Sequence, residues 1–211
     1  QGVASALLVR GRAIACVGAA SECAARAGPQ VKVVDVGSGA VLPGLADAHG
    51  HVLGLGRAAV EVRCDGAHSE EECAARVAER ARGVPRGTWV RGRGWDQNLW
   101  PGARFPTERS LSTLVPDHPV VLSRVDGHAV WVNQRALEAA GIGPDARDPD
   151  GGRILRYDDD RPSGVLVDNA ADLVTARIPP PTRDELERLL TGALAELSRV
   201  GLTSVHDAGA D

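Results

Sequence analysis

The clearest apolar pattern in the chain lies between residues 182 and 201 and predicts an amphipathic helix. Apolar side chains recur there at three- and four-residue intervals, so they share one helical face: Leu186, Leu189, Leu190, Ala193, Leu197 and Val200. Thr182 and Glu185 have the spacing of a capping box, and Gly201 ends the pattern. Cap residues and apolar spacing predict four more helices, over 21–27, 69–82, 107–115 and 133–140.

Short apolar runs bounded by glycine, proline and aspartate predict the strands. Two runs with Gly11 between them predict a hairpin over 3–17, and a third strand is predicted over 31–36. After residue 40, predicted strands alternate with the helices, which indicates an α/β region with parallel strands: 41–51, 88–93, 119–125 and 202–206. Residues 144–162 predict a surface excursion with a small hairpin near 153–157.

Composition narrows the classes of function. The chain has 211 residues and a formal net charge of −4, which argues against nucleic acid or a membrane surface as a partner. No apolar run approaches the roughly 20 residues of a membrane helix. The four cysteines (Cys16, Cys23, Cys64 and Cys73) form no C-x-x-C pair. We therefore expect them to be small apolar filler in a reducing, cytoplasmic environment.

His49 and His51 are the first candidates for chemistry. One residue separates them, so on an extended strand both side chains point to the same side, together with Asp47. Two imidazoles at a strand end can bind one divalent ion. A His-x-His pair alone is a weak signal, because surface and core histidines are more common.

The context of this pair resembles a known family. Residues 43–51, Pro-Gly-Leu-Ala-Asp-Ala-His-Gly-His, resemble the P-G-x-x-D-x-H-x-H signature of the amidohydrolase superfamily. Segments 93–97, 105–107, 124–133 and 201–207 resemble its family 3 branch, which includes N-substituted formamide deformylases. The resemblance implies that residues 43–211 form the first part of a TIM-like (β/α)₈ barrel with insertions. It also implies that residues 1–42 are part of a small β-sandwich.

The resemblance also implies a set of site residues. His49 and His51 would bind a divalent metal, expected to be zinc, with Asp47 in a supporting role. Asp126 and His128 end a strong strand and would line the substrate pocket; the alternative is a turn that only satisfies backbone groups. Trp95 is a candidate pocket wall, with core packing as the alternative. His206 is a candidate ligand, although a hydrogen-bonded structural histidine is more common.

The implied activity is hydrolysis of a carbon–nitrogen bond in an amide-like small molecule by the parent protein. The chain starts at Gln1 without any methionine, and its single lysine, Lys32, precedes the barrel, so no barrel lysine can bridge metals. We therefore expect an incomplete, inactive fragment whose catalytic residues lie beyond Asp211. The alternatives are a deaminase or other cyclic C–N hydrolase, and a non-catalytic fragment or binding module. The sequence leaves the oligomeric state open.

Overall fold

The computed structural model describes residues 4–209 and divides the chain into two compact units, Gln1–Pro43 and Gly44–Asp211. Val3, where the predicted hairpin begins, lies outside the described residues. In the first unit, strands β1 (Ala6–Arg10) and β2 (Ala13–Gly18) form the predicted antiparallel hairpin, and helix α1 (Ala20–Arg26) follows. The β-sandwich and its boundary at residue 42 stay predictions.

The strand predicted over 31–36 is wrong. These residues have no regular secondary structure, and Val33 and Val34 are 80% and 72% exposed. A strand needs a neighbour for its backbone hydrogen bonds, and no described strand pairs with this segment. An apolar alternating run is therefore not sufficient to make a strand here.

The second unit contains two sheets and six α-helices within its described part. Its strands are β3 (Leu45–Gly50), β4 (Val62–Arg63), β5 (Val90–Trp95), β6 (Val120–Arg124), β7 (Ala129–Val132), β8 (Gly152–Arg156), β9 (Pro162–Asp168) and β10 (Leu202–Asp207). Its helices are α2 (Val52–Val60), α3 (Glu70–Ala81), α4 (Glu108–Leu114), α5 (Gln134–Ala140), α6 (Asp172–Thr175) and α7 (Arg183–Arg199). Three short 3₁₀ turns occur at Gln97–Leu99, Pro101–Ala103 and Asn169–Ala171.

The larger sheet is mixed rather than parallel. Its order is β4-β5-β6-β7-β9-β8, and only the β4-β5-β6 part is parallel. Only residues 125–128 connect β6 to β7, whereas a parallel crossover needs about a dozen or more residues. The strands predicted as parallel are nevertheless confirmed as parallel pairs, β5 with β6 and β3 with β10, and the antiparallel strands β7, β8 and β9 extend the sheet. The segment 144–162 likewise contributes β8, which pairs with β9 inside this sheet.

The smaller sheet consists of β3 and β10, which run parallel. Helix α2 follows β3, helix α7 precedes β10, and the two helices pack closely at Gly56. A Cβ atom on Gly56 would lie 2.4 Å from the backbone oxygen of Leu189, so no larger residue fits without a shift. The chain from β4 to α6, including the whole six-stranded sheet, is inserted between these two strands.

The four cysteines form two disulfide bonds, Cys16–Cys23 and Cys64–Cys73. The expectation of reduced cysteines is therefore wrong. All four residues are buried, as the apolar-filler interpretation requires. Folding also brings each pair within a Cα–Cα distance of 5.5 Å, which is the usual separation for a disulfide.

Candidate metal site and a second group of polar residues

His49 and His51 lie at the carboxyl end of β3, on one side of the chain. Their ring centroids are 5.3 Å apart and the ring planes are nearly perpendicular, at 87°. Both residues are exposed. His51 is also the N-cap residue of α2, yet its side chain makes no capping hydrogen bond, so the imidazole is not used to end the helix.

The ring separation fits a shared cation. Two imidazoles that bind one tetrahedral ion at about 2.0–2.1 Å place their centroids about 5 Å apart. Neutral imidazole nitrogen is also a preferred donor for zinc and similar divalent metals. Within residues 4–209, however, no group of three or more His, Cys, Asp or Glu residues could hold a metal ion. Ligation of a metal by this pair therefore stays a prediction.

Asp47 is turned toward the backbone of β3. Its Oδ1 accepts a hydrogen bond of 3.0 Å from the amide of His49. This contact fixes the local backbone two residues before His51. The supporting role of Asp47 at a metal site stays a prediction.

The end of β10 is tied to the end of β3. Asp207 Oδ2 accepts a hydrogen bond of 3.2 Å from the amide of Val52, and the amide of Ala208 donates to the Gly50 oxygen at 2.9 Å. His206 is exposed on the same strand, and its role as a ligand stays a prediction. The sequence places Asp207 beside His206 at the end of the last predicted strand, where both could reach a metal or substrate, but it does not indicate this partner.

A second group of polar side chains lies where β6 ends and β7 begins. Asp126 Oδ1 accepts from the His128 amide at 3.0 Å, and its Oδ2 pairs with Arg124 at 2.7 Å. Asp126 therefore accepts a hydrogen bond from a backbone amide of the turn, which is the alternative to a role in the substrate pocket. Its ion pair with Arg124 is an additional contact that the turn does not require.

His128 projects outward from this edge, with its side chain 73% exposed. Its Nδ1 lies 3.0 Å from Oδ1 of Asp168, the last residue of β9. This contact orients the ring and leaves Nε2 available to another molecule. Asp168 and Arg124 were not identified from the sequence, because only the pairing of β7 with β9 brings Asp168 to His128.

Trp95 is not a surface residue. Its indole is 0% exposed, donates a hydrogen bond of 2.8 Å to the Leu122 oxygen, and packs against Trp100 and Trp131. Core packing, the alternative to a pocket wall, describes this position. Two residues nearer the surface contact the Trp95 ring: the Arg124 guanidinium carbon lies 6.0 Å from its centroid, and the ring of exposed Phe105 lies 6.4 Å from it.

A cavity of about 380 Å³ opens beside the Arg124–Asp126 pair on the six-stranded sheet. Its lining includes Arg91, Arg93, Ser123, Arg124, Asp126 and Gly127. Neither histidine of the β3 pair lines it. The histidine pair and this cavity are therefore separate features of the second unit.

Comparison with known proteins places the chain in a family. The model of an amidohydrolase family matches residues 32–211. The chain is 33% identical to the putative amidohydrolase YtcJ of Bacillus subtilis (strain 168) over 84% of its length. It is 33% identical to the N-substituted formamide deformylase of Arthrobacter pascens over 97%, and 31% identical to the protein LONG AFTER FAR-RED 3 of Arabidopsis thaliana over 98%.

Among solved structures, an uncharacterized metal-dependent hydrolase from Pyrococcus furiosus shares the fold, with a TM-score of 0.65 and 22% identity. The match covers 94% of this chain and 39% of that one. The chain likewise spans only 34% to 39% of the length of the three curated relatives. The family match extends over most of this chain, including both the histidine pair and the six-stranded sheet. The chain therefore belongs to the amidohydrolase family.

Proposed function

We propose that this chain is part of a metal-dependent hydrolase that cleaves a carbon–nitrogen bond in an amide-like small molecule. The observation that carries the proposal is the placement of His49 and His51, with ring centroids 5.3 Å apart at the end of one strand. Similarity to the formamide deformylase of Arthrobacter pascens favours an N-substituted amide as the substrate.

The parallel pair β3–β10, with α2 and α7 packed together beside it, supports a place in a (β/α)₈ barrel. In this proposal β3 and β10 are neighbouring barrel strands, and the six-stranded sheet is an insertion between them. Barrel enzymes carry their chemistry at the carboxyl ends of the strands, which is where the histidine pair lies.

His49 and His51 would hold a divalent cation, for which zinc is the expected choice. Such an ion, when bound, lowers the pKa of a coordinated water toward about 7 and polarises the carbonyl group. Asp47 holds the backbone at His49. His128, oriented by Asp168, would donate or accept a hydrogen bond at the substrate's polar groups, and Arg124 would keep Asp126 in place. The remaining metal ligands and the acid–base group would come from other parts of the whole protein.

Metal analysis tests the ligand assignment. In the full-length protein, we expect the double variant His49→Ala/His51→Ala to lose bound zinc and hydrolysis of an N-substituted formamide. His68→Ala, which removes an exposed histidine elsewhere in the second unit, should retain both. Unchanged zinc occupancy in the double variant would contradict the proposal. Activity only on a cyclic C–N substrate would favour the deaminase-like alternative.

The non-catalytic alternative is tested by the coding sequence that adjoins residue 211. A reading frame that continues with further histidine and aspartate motifs favours the enzyme, and an immediate stop favours a non-catalytic chain. The cytoplasmic location stays a prediction, and the two disulfide bonds argue against it because they are typical of oxidising compartments. In the described part of the chain, no helix has the length and apolar character required to cross a membrane.

A further inference from the structure

We infer that Asp207 and Gly209 are positioning residues for the imidazole of His51. The inference rests on the proposed function, in which His51 binds a metal ion. Neither residue is a proposed ligand. Both residues lie at the end of β10, and the side chain that they position lies at the end of β3. The orientation of the His51 ring therefore depends on how the ends of the two strands are placed.

Asp207 performs the capping that His51 does not. The first amide groups of a helix lack partners inside the helix, and an N-cap side chain usually accepts one of these hydrogen bonds. At α2 the N-cap residue His51 makes no such bond, and Asp207 Oδ2 instead accepts from Val52, the first helical residue. The helix is therefore capped from the neighbouring strand, and the His51 imidazole stays free for another partner.

Gly209 faces one edge of the His51 ring. A Cβ atom at this position would lie 2.9 Å from Nδ1 and 3.4 Å from Cε1 of His51. The first separation is too short for a real contact, so any side chain at 209 would displace the ring. Because the Nδ1 edge faces the Gly209 backbone, Nε2 is the nitrogen left open to a cation.

The two residues are themselves linked. Asp207 Oδ1 accepts a hydrogen bond of 3.0 Å from the amide of Gly209, while Ala208 continues the pairing with Gly50. One carboxylate thus holds both the start of α2 and the backbone that packs against the imidazole. His49 differs, because its own backbone is fixed locally by Asp47.

The variant Gly209→Ala tests the inference, since Gly209 has no positive φ and alanine changes only the occupied space. In metal-free protein we expect the His51 ring resonances to shift, with a smaller shift at His49, whose ring centroid lies 5.3 Å away. Zinc affinity, measured by competition with a chelator, should fall about 10-fold or more, as for other residues that orient a ligand. The matched control is Gly143→Ala, where a Cβ meets nothing within 4 Å. It should change neither readout.

A second pair of variants, Asp207→Asn and Asp207→Ala, tests the contribution of Asp207 to zinc affinity separately from that of Gly209. Asparagine has a single acceptor oxygen and can replace only one of the two hydrogen bonds, whereas alanine replaces neither. Zinc affinity should therefore fall in the order wild type, Asp207→Asn, Asp207→Ala, with the His51 resonances shifting in the same order. Equal affinity in all three would overturn the role of Asp207.

The outcomes distinguish this inference from the proposed function. Wild-type protein that binds zinc, together with unchanged His51 resonances and unchanged affinity in Gly209→Ala, would overturn the positioning inference alone. Zinc occupancy that does not depend on the histidine pair would overturn the proposed function. The metal-free resonances of His51 would then still decide whether Gly209 sets its position.

Discussion

His128 and Asp168 are joined by a contact of 3.0 Å between Nδ1 and Oδ1, although 40 positions separate them in the sequence. Asp168 makes this contact from an uncommon backbone conformation, with φ of 49° and ψ of −128°. Non-glycine residues seldom adopt positive φ, and such conformations cost about 1–3 kcal/mol. The strain lies at the residue that orients the exposed histidine.

Replacing Asp168 should therefore give an unusual order of stability. We expect Asp168→Gly to be more stable than Asp168→Ala by about 1–2 kcal/mol, because glycine tolerates positive φ and alanine does not. The same two substitutions at exposed Asp150, which has no positive φ, should not favour glycine. Urea denaturation of the four variants measures this difference. Equal stability of the two Asp168 variants would contradict the strain.

Asn133 is expected to be among the positions most sensitive to substitution. It is fully buried, its Oδ1 accepts from Val120 and Ala136, and its Nδ2 donates to the oxygens of Val115 and His118. Asn133→Leu would leave these four backbone groups without their partner. We expect a loss of about 3–5 kcal/mol in the free energy of unfolding. Exposed Asn98→Leu is the control, with a change below about 1 kcal/mol.

The Cys64–Cys73 bond should stabilise the second unit. The bond joins cysteines nine positions apart, and in the chain-entropy account such a loop contributes about 2–3 kcal/mol. The double variant Cys64→Ser/Cys73→Ser should show a lower thermal midpoint than the wild type. Mass spectrometry after alkylation without reductant should find no modified cysteine in the wild type. Four alkylated cysteines would contradict both disulfides.

Ionisation of Glu108 makes the free energy of unfolding depend on pH. Burial raises the pKa of its carboxyl group above the ordinary value of 4.5, against the lowering effects of the Tyr157 hydrogen bond and of nearby arginines. A raised pKa in the folded state contributes stability below pH 4.5, and this contribution is lost as the pH rises through the folded-state pKa.

The variant Glu108→Gln should therefore be more stable than the wild type at pH 7, with a smaller gain below pH 4.5. Glutamine keeps an oxygen that can accept from Tyr157, as Oε1 of Glu108 does at 3.3 Å. Thermal midpoints at both pH values measure the effect. Glu79→Gln, at an exposed helical position, should change little at either pH. An equal gain for Glu108→Gln at both pH values would exclude the ionisation of Glu108 as its cause.

Features set by neighbouring residues could be predicted from the sequence. The capping box of Thr182 and Glu185 is confirmed at the start of α7, and Asn133 caps α5 as expected. Helix α2 was missed because Gly54 and Gly56 lower its helical propensity, while packing against α7 stabilises it. The spacing of His49 and His51 also predicted that their side chains lie together, and their ring centroids are 5.3 Å apart.

Features that depend on distant partners could not be predicted in the same way. His128 and Asp168 are 40 positions apart, so their spacing in the sequence does not indicate that they make contact. Asp207 and Val52, which it caps at the start of α2, are 155 positions apart. The burial of Trp95 likewise depends on Trp100 and Trp131 meeting it in space. For these residues the spacing indicated chemistry but not the partner.

In the sequence, the whole six-stranded sheet lies between β3 and β10, and this has a consequence for the order of folding. Contacts between distant segments form slowly, because the intervening chain must first lose conformational entropy. If the inserted sheet folds first, it shortens the unstructured chain between the two strands and so lowers the entropy cost of pairing them. A substitution that slows folding of this sheet is then expected to delay assembly of the surroundings of His51, even when it contacts neither strand.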